Sequence, residues 1–278
     1  MNGSKHVRGS LRRVGRRALL AFAAGLGLLA ATGPVAAAEP TLRLGANPGP
    51  TGQMADFVAK LARSQGLDVK VVEFSDWVTI NAAVDSGDID LNLFQHKPFL
   101  AAAVKARGFK LVPVGPVAVM PVGLFSKRVK SVAEVQPGAT VAIANDPVNA
   151  ARGLRLFQKV GLIKLKDGVG DDATLADIVD NPKKLRFVEI EAPQLTRVME
   201  DVAIAQQSTT FLLASGGDYK SALATDGEGE RHYALEWVTR ADKAGDERIR
   251  RFVALARSPE FRTFIAEQFK GVIVPAWD

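Results

Sequence analysis

The sequence predicts an α/β fold of two lobes, each a mainly parallel β-sheet flanked by helices, joined by a hinge of two crossing strands. Three observations lead to this prediction. Strand-like and helix-like segments alternate from Thr41 onward, and a repeating β–α order builds a mainly parallel sheet covered by helices. The 278 residues suffice for one large or two modest domains. Two apolar segments, Val117–Phe125 and Tyr233–Val238, are candidates for strands that cross between the lobes.

The first part of the alternation can be assigned element by element. Met54, Phe57, Val58 and Leu61 have the i, i+3, i+4, i+7 spacing of one helix face, and Gly66 ends that helix. Runs of β-branched residues mark the strands. Around this helix the predicted elements are strand Thr41–Leu44, strand Val69–Phe74, helix Trp77–Val84, strand Ile89–Phe94, helix Pro98–Arg107 and strand Phe109–Val114.

The middle of the chain continues the same pattern. The predicted strands are Thr140–Ala144, Leu185–Ile190 and Val202–Ala205, and the predicted helices are Val148–Val160 and Gln194–Met199. If the two apolar segments cross between lobes, residues 39–124 and 238–278 form the first lobe and residues 125–237 the second. Such a protein places its ligand in the interlobe cleft, where strand ends and helix N-termini converge.

Residues 1–38 have the pattern of a cleavable signal peptide. Basic residues precede an apolar run from Ala18 to Ala31, the dipeptide Gly33-Pro34 interrupts it, and small residues lead to a cleavage site after Ala38. The run is too short to span a bilayer comfortably, which disfavours an uncleaved anchor. The sequence therefore predicts export to the periplasm, with Sec and twin-arginine routes both open.

Charge and cysteine content exclude several classes of protein. Six of the 36 Lys and Arg residues lie in residues 1–38, so the remainder balances the 30 acidic residues. A nucleic-acid-binding protein needs surplus cations, and no nucleic-acid partner is expected. The chain has no cysteine, which excludes disulfides, thiolate catalysis and the cysteine that carries a lipoprotein's lipid. The sequence thus predicts a soluble protein with no lipid anchor.

Motifs for catalysis are not found. The residues after the leader contain two histidines, His96 and His232, without metal-binding spacing, and there is no nucleophile elbow, P-loop or dinucleotide fingerprint. The chain is predicted to be no enzyme and to hold no cofactor and no metal.

Three local features could line a binding site. Asn145-Asp146-Pro147 precedes a helix that carries Arg152, so the helix N-terminus and the guanidinium could bind an anion. An ordinary capped helix with a surface arginine is the alternative. The segment Phe94–Phe99 and the side chain of Trp77 could line a pocket, although a structural histidine and core aromatics would give the same pattern.

The chain resembles the NlpA/MetQ family of methionine-binding proteins over essentially all residues after the leader. The stretches that carry the resemblance are Gly87–Pro98, Thr140–Asn149 with Arg152, Lys159–Gly168 and Glu191–Leu195. The resemblance implies a type II-like periplasmic binding fold with a hinge. It also implies delivery of a small-molecule ligand to a partner ABC permease and ATPase.

The resemblance further implies a set of ligand-binding residues. The arginine at position 152 would hold the ligand's carboxylate, and the segment Phe94–His96 and Trp77 would surround its side chain. The complete predicted set is Arg152, Asn149, Asn145, His96, Gln95, Phe94, Trp77, Phe99, Met120, Ser208 and Leu235.

This chain departs from the family's pattern within that set. Ser208 and Leu235 stand where the family has asparagines that bind the ligand's polar end, and Phe99 and Met120 stand where tyrosines are common. Methionine binding should therefore be weakened, because a hydrogen bond to a charged group contributes roughly 1.5–3 kcal/mol. The ligand could be methionine held differently, a methionine relative or another carboxylate. A periplasmic sensor that feeds a signalling receptor would have the same fold.

Overall fold

The computed structural model describes residues 39–227 and 230–278; the predicted signal peptide lies outside these residues. In chain order the elements are β1 (Leu42–Ala46), α1 (Pro50–Ser64), β2 (Val69–Glu73), α2 (Thr79–Ser86), β3 (Leu91–His96), α3 (Lys97–Arg107), β4 (Leu111–Val119), β5 (Val122–Phe125), β6 (Thr140–Ala144), α4 (Pro147–Lys159), β7 (Lys164–Leu165), β8 (Ile178–Asp180), β9 (Arg186–Ile190), β10 (Ile204–Ser208), α5 (Thr209–Ala214), β11 (Ala224–Thr225), β12 (Ala234–Arg240), α6 (Glu247–Leu255), α7 (Pro259–Phe269) and β13 (Val274–Pro275).

The first sheet has the strand order β13-β4-β12-β3-β1-β2. Strand β1 is parallel to both β2 and β3, as the β–α alternation predicts, whereas β12 is antiparallel to β3 and β4. One face packs against α1, α6 and α7 around the buried Trp237 and Phe252, and a smaller cluster with Ile80 and Leu100 joins α2 and α3 to this sheet. Helices thus flank the first sheet.

The second sheet has the order β11-β5-β10-β6-β9. Strands β10, β6 and β9 are parallel, and β5 and β11 add antiparallel pairs. Helix α4 buries Leu154 and Phe157 in one cluster, and Leu195 and Phe211 belong to another. In both sheets, antiparallel pairs are formed by the strands that precede or follow a passage of the chain from one sheet to the other, namely β4, β5, β11 and β12.

Within the described residues, two segments connect strands of different sheets, and these are the crossing segments. The first is Met120-Pro121, between β4 and β5. The second lies between β11 and β12, and its described residues are Asp226, Gly227 and residues 230–233. The candidate crossing segment Val117–Phe125 is divided in the structure: β4 ends at Val119 and β5 begins at Val122, with Met120 and Pro121 between them. The division into lobes stays a prediction, but residues 122–124 pair in the second sheet and residues 234–237 pair in the first.

Other predicted elements differ from the structure. Helix α2 begins at Thr79 rather than Trp77. In the turn before it, the Asp76 carboxylate accepts hydrogen bonds from the N–H groups of Val78 and Thr79, at 2.7 and 2.8 Å. The predicted helix over Gln194–Met199 is wrong: two short 3₁₀ turns occupy residues 192–194 and 197–200. None of the helices formed by residues 39–227 and 230–278 is long and apolar enough to cross a membrane.

Candidate functional site

A cavity of about 30 Å³ lies where the two sheets face each other. Ten of the eleven predicted ligand-binding residues line it, together with three residues that the sequence reasoning did not single out, Val122, Thr209 and Thr210. The predicted ten are Trp77, Phe94, Gln95, His96, Phe99, Met120, Asn149, Arg152, Ser208 and Leu235. Two of the missed residues belong to the stretch Gln207–Phe211, so proximity to Ser208 was the signal that could have found them.

Asn145 does not line the cavity, and its role in ligand binding stays a prediction. Its side chain is exposed and its N–H donates to the Ile190 carbonyl at 3.0 Å, which continues the pairing of β6 with β9. Asp146 takes the capping position instead: its carboxylate accepts from the N–H of Asn149 at 2.9 Å, and Pro147 occupies the first turn of α4. The capping residue and the arginine thus belong to one helix, as the sequence predicts, and the asparagine before them lies outside the wall of this cavity.

A buried amide network supports the first-sheet side of the cavity. Gln95 Nε2 donates to Asn81 Oδ1 at 2.6 Å, and Asn81 Nδ2 donates back to Gln95 Oε1 at 2.9 Å. Asn92 Nδ2 also donates to Asn81 Oδ1, at 3.0 Å. These bonds occupy both ends of the Gln95 amide, so Gln95 fixes the end of β3 beside the cavity rather than offering an unused polar group to it.

His96 connects the two sides of the cavity in its neutral form. Its Nδ1 accepts from the N–H of Phe99 at 3.2 Å, which caps α3, so the proton is on Nε2, 3.4 Å from Asn149 Oδ1. Burial lowers the pKa of His96 to about 3, and the nearby positive charge of Arg152 acts in the same direction. His96 therefore adds no charge to the site at neutral pH.

Arg152 is a buried cation held by groups from both crossing segments. Its Nε donates to Asp226 Oδ2 at 2.6 Å and its Nη2 donates to the Met120 carbonyl at 3.1 Å. The guanidinium carbon lies 4.2 Å from the ring centroid of Tyr233, a cation–π geometry. Burial lowers the pKa of Arg152 and the Asp226 carboxylate opposes that shift. An arginine has five N–H donors, so these contacts orient the group and leave donors for a ligand.

The wall formed by Ser208 and Leu235 has few unused polar groups. The Ser208 hydroxyl accepts from the N–H of Phe211 at 3.5 Å and caps α5, and Leu235 is buried and apolar. Thr209 Oγ1 donates to the Pro121 carbonyl. Glu236, next to Leu235, does not replace the missing amide: it lies 3.4 Å from Lys97 Nζ and is not part of the cavity wall, and burial raises its pKa.

Aromatic side chains close another side of the cavity and touch across it. Trp77 meets Phe99 edge-on with ring centroids 6.0 Å apart, and Phe99 meets Phe94 at 5.5 Å. Trp77 also contacts Phe211, which follows β10 of the second sheet, with centroids 5.0 Å apart. A ligand here would be enclosed by aromatic rings on one side and by Arg152 on the other.

A family model described as NlpA lipoprotein matches residues 42–277. The chain belongs to this family. It is 43% identical over 253 residues to a protein of Yersinia pestis named D-methionine-binding lipoprotein MetQ, covering 90% of this chain and 93% of that protein. A nutrient binding protein from Burkholderia cenocepacia, solved bound to methionine, is similar at 41% identity and a TM-score of 0.82 over 85% of this chain and all of that one. A crystal structure of the methionine binding protein MetQ has 42% identity and a TM-score of 0.83, covering 86% and 98%.

These comparisons settle several of the predictions made from the sequence. The resemblance to the NlpA/MetQ family is confirmed, and so is the two-lobed α/β fold of the periplasmic substrate-binding proteins. The relatives support a solute-binding role and export from the cytoplasm. The binding roles of the individual cavity residues stay predictions.

The prediction of a protein with no lipid anchor is contradicted by the same comparisons. The family is described as lipoproteins, and the Yersinia pestis relative is named one. That prediction depended only on the absence of cysteine from the sequence. The family description, in contrast, is that of lipoproteins.

Proposed function

We propose that this chain is a periplasmic solute-binding protein of an ABC importer, which binds a small amino-acid-like carboxylate in the cavity between its two sheets and delivers it to the permease. The observation that carries the proposal is Arg152, a cation 5% exposed that lines the cavity. A buried guanidinium pairs with a carboxylate through short, charge-assisted hydrogen bonds. Methionine or a related compound supplies that carboxylate.

The electrostatics of the cavity favour a ligand whose charges are internally balanced. Arg152 is already paired with Asp226 and His96 is neutral, so the site as a whole has little net charge. A zwitterion brings one negative and one positive group and keeps this balance. A ligand with surplus charge would need further desolvated partners, which is unfavourable in a closed cleft.

A second candidate ligand is a carboxylate other than methionine. Leu235 offers no hydrogen bond, and the hydroxyl of Ser208 already caps a helix. This wall therefore matches the polar end of an amino acid less well than a pair of amides would. The proposal covers both ligands, because each places its carboxylate at Arg152.

The experiment is native mass spectrometry of protein purified without refolding, followed by calorimetry with the ligand it identifies. Arg152→Gln should remove the bound small carboxylate, whereas Arg155→Gln, one turn further along the same helix and outside the cavity, should retain it. The proposal fails if the Arg152→Gln protein keeps the same adduct, or if neither amino acids nor small carboxylates bind the unmodified protein.

A further inference from the structure

A second cavity, of about 280 Å³, adjoins the first and shares two of its wall residues, Trp77 and Phe99. It lies between α3 and the beginning of α4, so it too is bounded by elements packed on different sheets. A space of about 10–15 Å³ is needed for one water molecule. Both cavities exceed that space, and the second is much larger than the first.

The second cavity is built for an apolar occupant. Ala103 and Ala106 present small side chains from α3, and Val148 faces them from α4. The carboxylate of Asp146 at the rim already accepts hydrogen bonds from both nitrogens of Asn149, at 2.9 and 3.1 Å. Apolar surface buried beside these side chains would be removed from water. Arg107, also in the wall, is exposed, so its guanidinium can stay in contact with water.

Trp77 is the partition between the two cavities. Its Nε1 is buried and has no hydrogen-bond partner among the described residues, so the indole is held by apolar packing, which includes ring contacts with Phe99 and Phe211. An indole N–H usually finds an acceptor when buried. No hydrogen bond of the indole therefore opposes a rotation that would join the small cavity to the large one.

We propose that the second cavity receives the end of the ligand's side chain, so that the ligand is an amino-acid-like carboxylate whose apolar side chain is longer than that of methionine. This inference rests on the proposed function, which places the carboxylate at Arg152. With the polar end there, rotation of Trp77 opens the second cavity to a longer side chain, which extends past Trp77 and Phe99, the residues common to both walls.

The test is a calorimetric series of S-alkyl homocysteines: S-methyl, which is methionine, then S-ethyl and S-butyl. Each methylene that enters an apolar cavity should tighten binding about fourfold, so the butyl compound should bind on the order of fiftyfold more tightly than methionine. Ala103→Leu fills the second cavity and should abolish this gain while leaving the Kd of methionine within about twofold. Ala101→Leu is the matched control, since Ala101 is exposed on the same helix and does not line the cavity.

The outcomes separate this inference from the proposed function. Affinity that rises with chain length, is lost in Ala103→Leu and is kept in Ala101→Leu supports the inference, whether or not methionine itself binds. Methionine binding with no gain, or a loss, for the longer compounds overturns the inference and leaves the proposed function standing. If no compound of the series binds and no other small carboxylate does, the proposed function fails and the inference fails with it.

Discussion

Replacing Asp226 by asparagine should destabilise the ligand-free protein by about 3 kcal/mol, because it leaves the charge of Arg152 buried without a counterion. The side chains of Arg152 and Asp226 are 5% and 15% exposed, and the pair is joined at 2.6 Å. Removing one partner of a buried ion pair typically costs about 3–5 kcal/mol, and the partial exposure of Asp226 places this pair at the lower end. Asparagine keeps an oxygen for the N–H of Val122, which Asp226 Oδ1 accepts at 2.9 Å, so the substitution isolates the charge.

The assay is urea unfolding of ligand-free protein, with thermal melting as a second readout. For a chain of this size about 3 kcal/mol lowers the Tm by roughly 6–12 °C. Glu200→Gln removes an exposed carboxylate 2.7 Å from Lys127 and should leave the free energy of unfolding nearly unchanged. Removing both buried charges, with Arg152→Met and Asp226→Asn together, should cost much less than Asp226→Asn alone.

Ligand binding should move in the opposite direction to stability. In the Asp226→Asn protein the carboxylate of a ligand becomes the counterion of Arg152, so a small carboxylate should bind about tenfold or more tightly. An Asp226→Asn protein as stable as the unmodified one, with unchanged affinity, would refute the reasoning. In that case Arg152 would not depend on Asp226 in solution.

Two further predictions concern specificity and pH. The paired substitution Ser208→Asn and Leu235→Asn should raise methionine affinity tenfold or more. Asparagine at position 208 still caps α5, and the two new amides can each form a hydrogen bond to a charged group, which contributes roughly 1.5–3 kcal/mol. Submicromolar methionine binding by the unmodified protein would contradict this prediction. His96 has a pKa of about 3 in the folded protein, below its unfolded value, so the unfolded state binds more protons and stability falls as pH drops from about 6.5 towards 3. Between pH 7 and pH 5 the protonation of His96 in the unfolded state should lower the free energy of unfolding by roughly 2 kcal/mol. In the His96→Gln protein, urea unfolding should show a pH dependence that is smaller by this amount. An unchanged pH dependence would show that His96 is charged in the folded protein.

The parts of the fold that sequence could predict are those decided by local chemistry. A β-branched run predicts strand β6, and an N-cap followed by proline predicts the start of α4. Helical spacing then predicts the position of Arg152, and all three signals lie within thirteen residues. A local signal can also misplace the start of an element by a few residues. The Asp76 carboxylate has the contacts of a capping group for a helix that starts at Trp77, yet α2 begins at Thr79.

What sequence could not predict are pairings between distant segments. Arg152 and Asp226 are 74 residues apart, and no motif or periodicity joins them. Asp226 lies in a segment that its glycines and acidic residues mark only as a solvated loop. The resemblance to the NlpA/MetQ family pointed to the arginine, but not to the carboxylate that holds it.

The pairing also gives a physical reason why ligand binding should be coupled to the relative position of the two sheets. Met120 and Asp226 both bind the guanidinium of Arg152, and they come from the first and the second crossing segment. A carboxylate that draws on the same guanidinium changes the charge balance of both segments at once, at the points where the chain passes between sheets. His96 and Asn149 meet across the same cavity, so closure of the cleft would also change the distance between His96 Nε2 and Asn149 Oδ1. Arg152 is therefore the group on which both crossing segments converge, and a substitution at Asp226 should change the rate of cleft closure together with affinity.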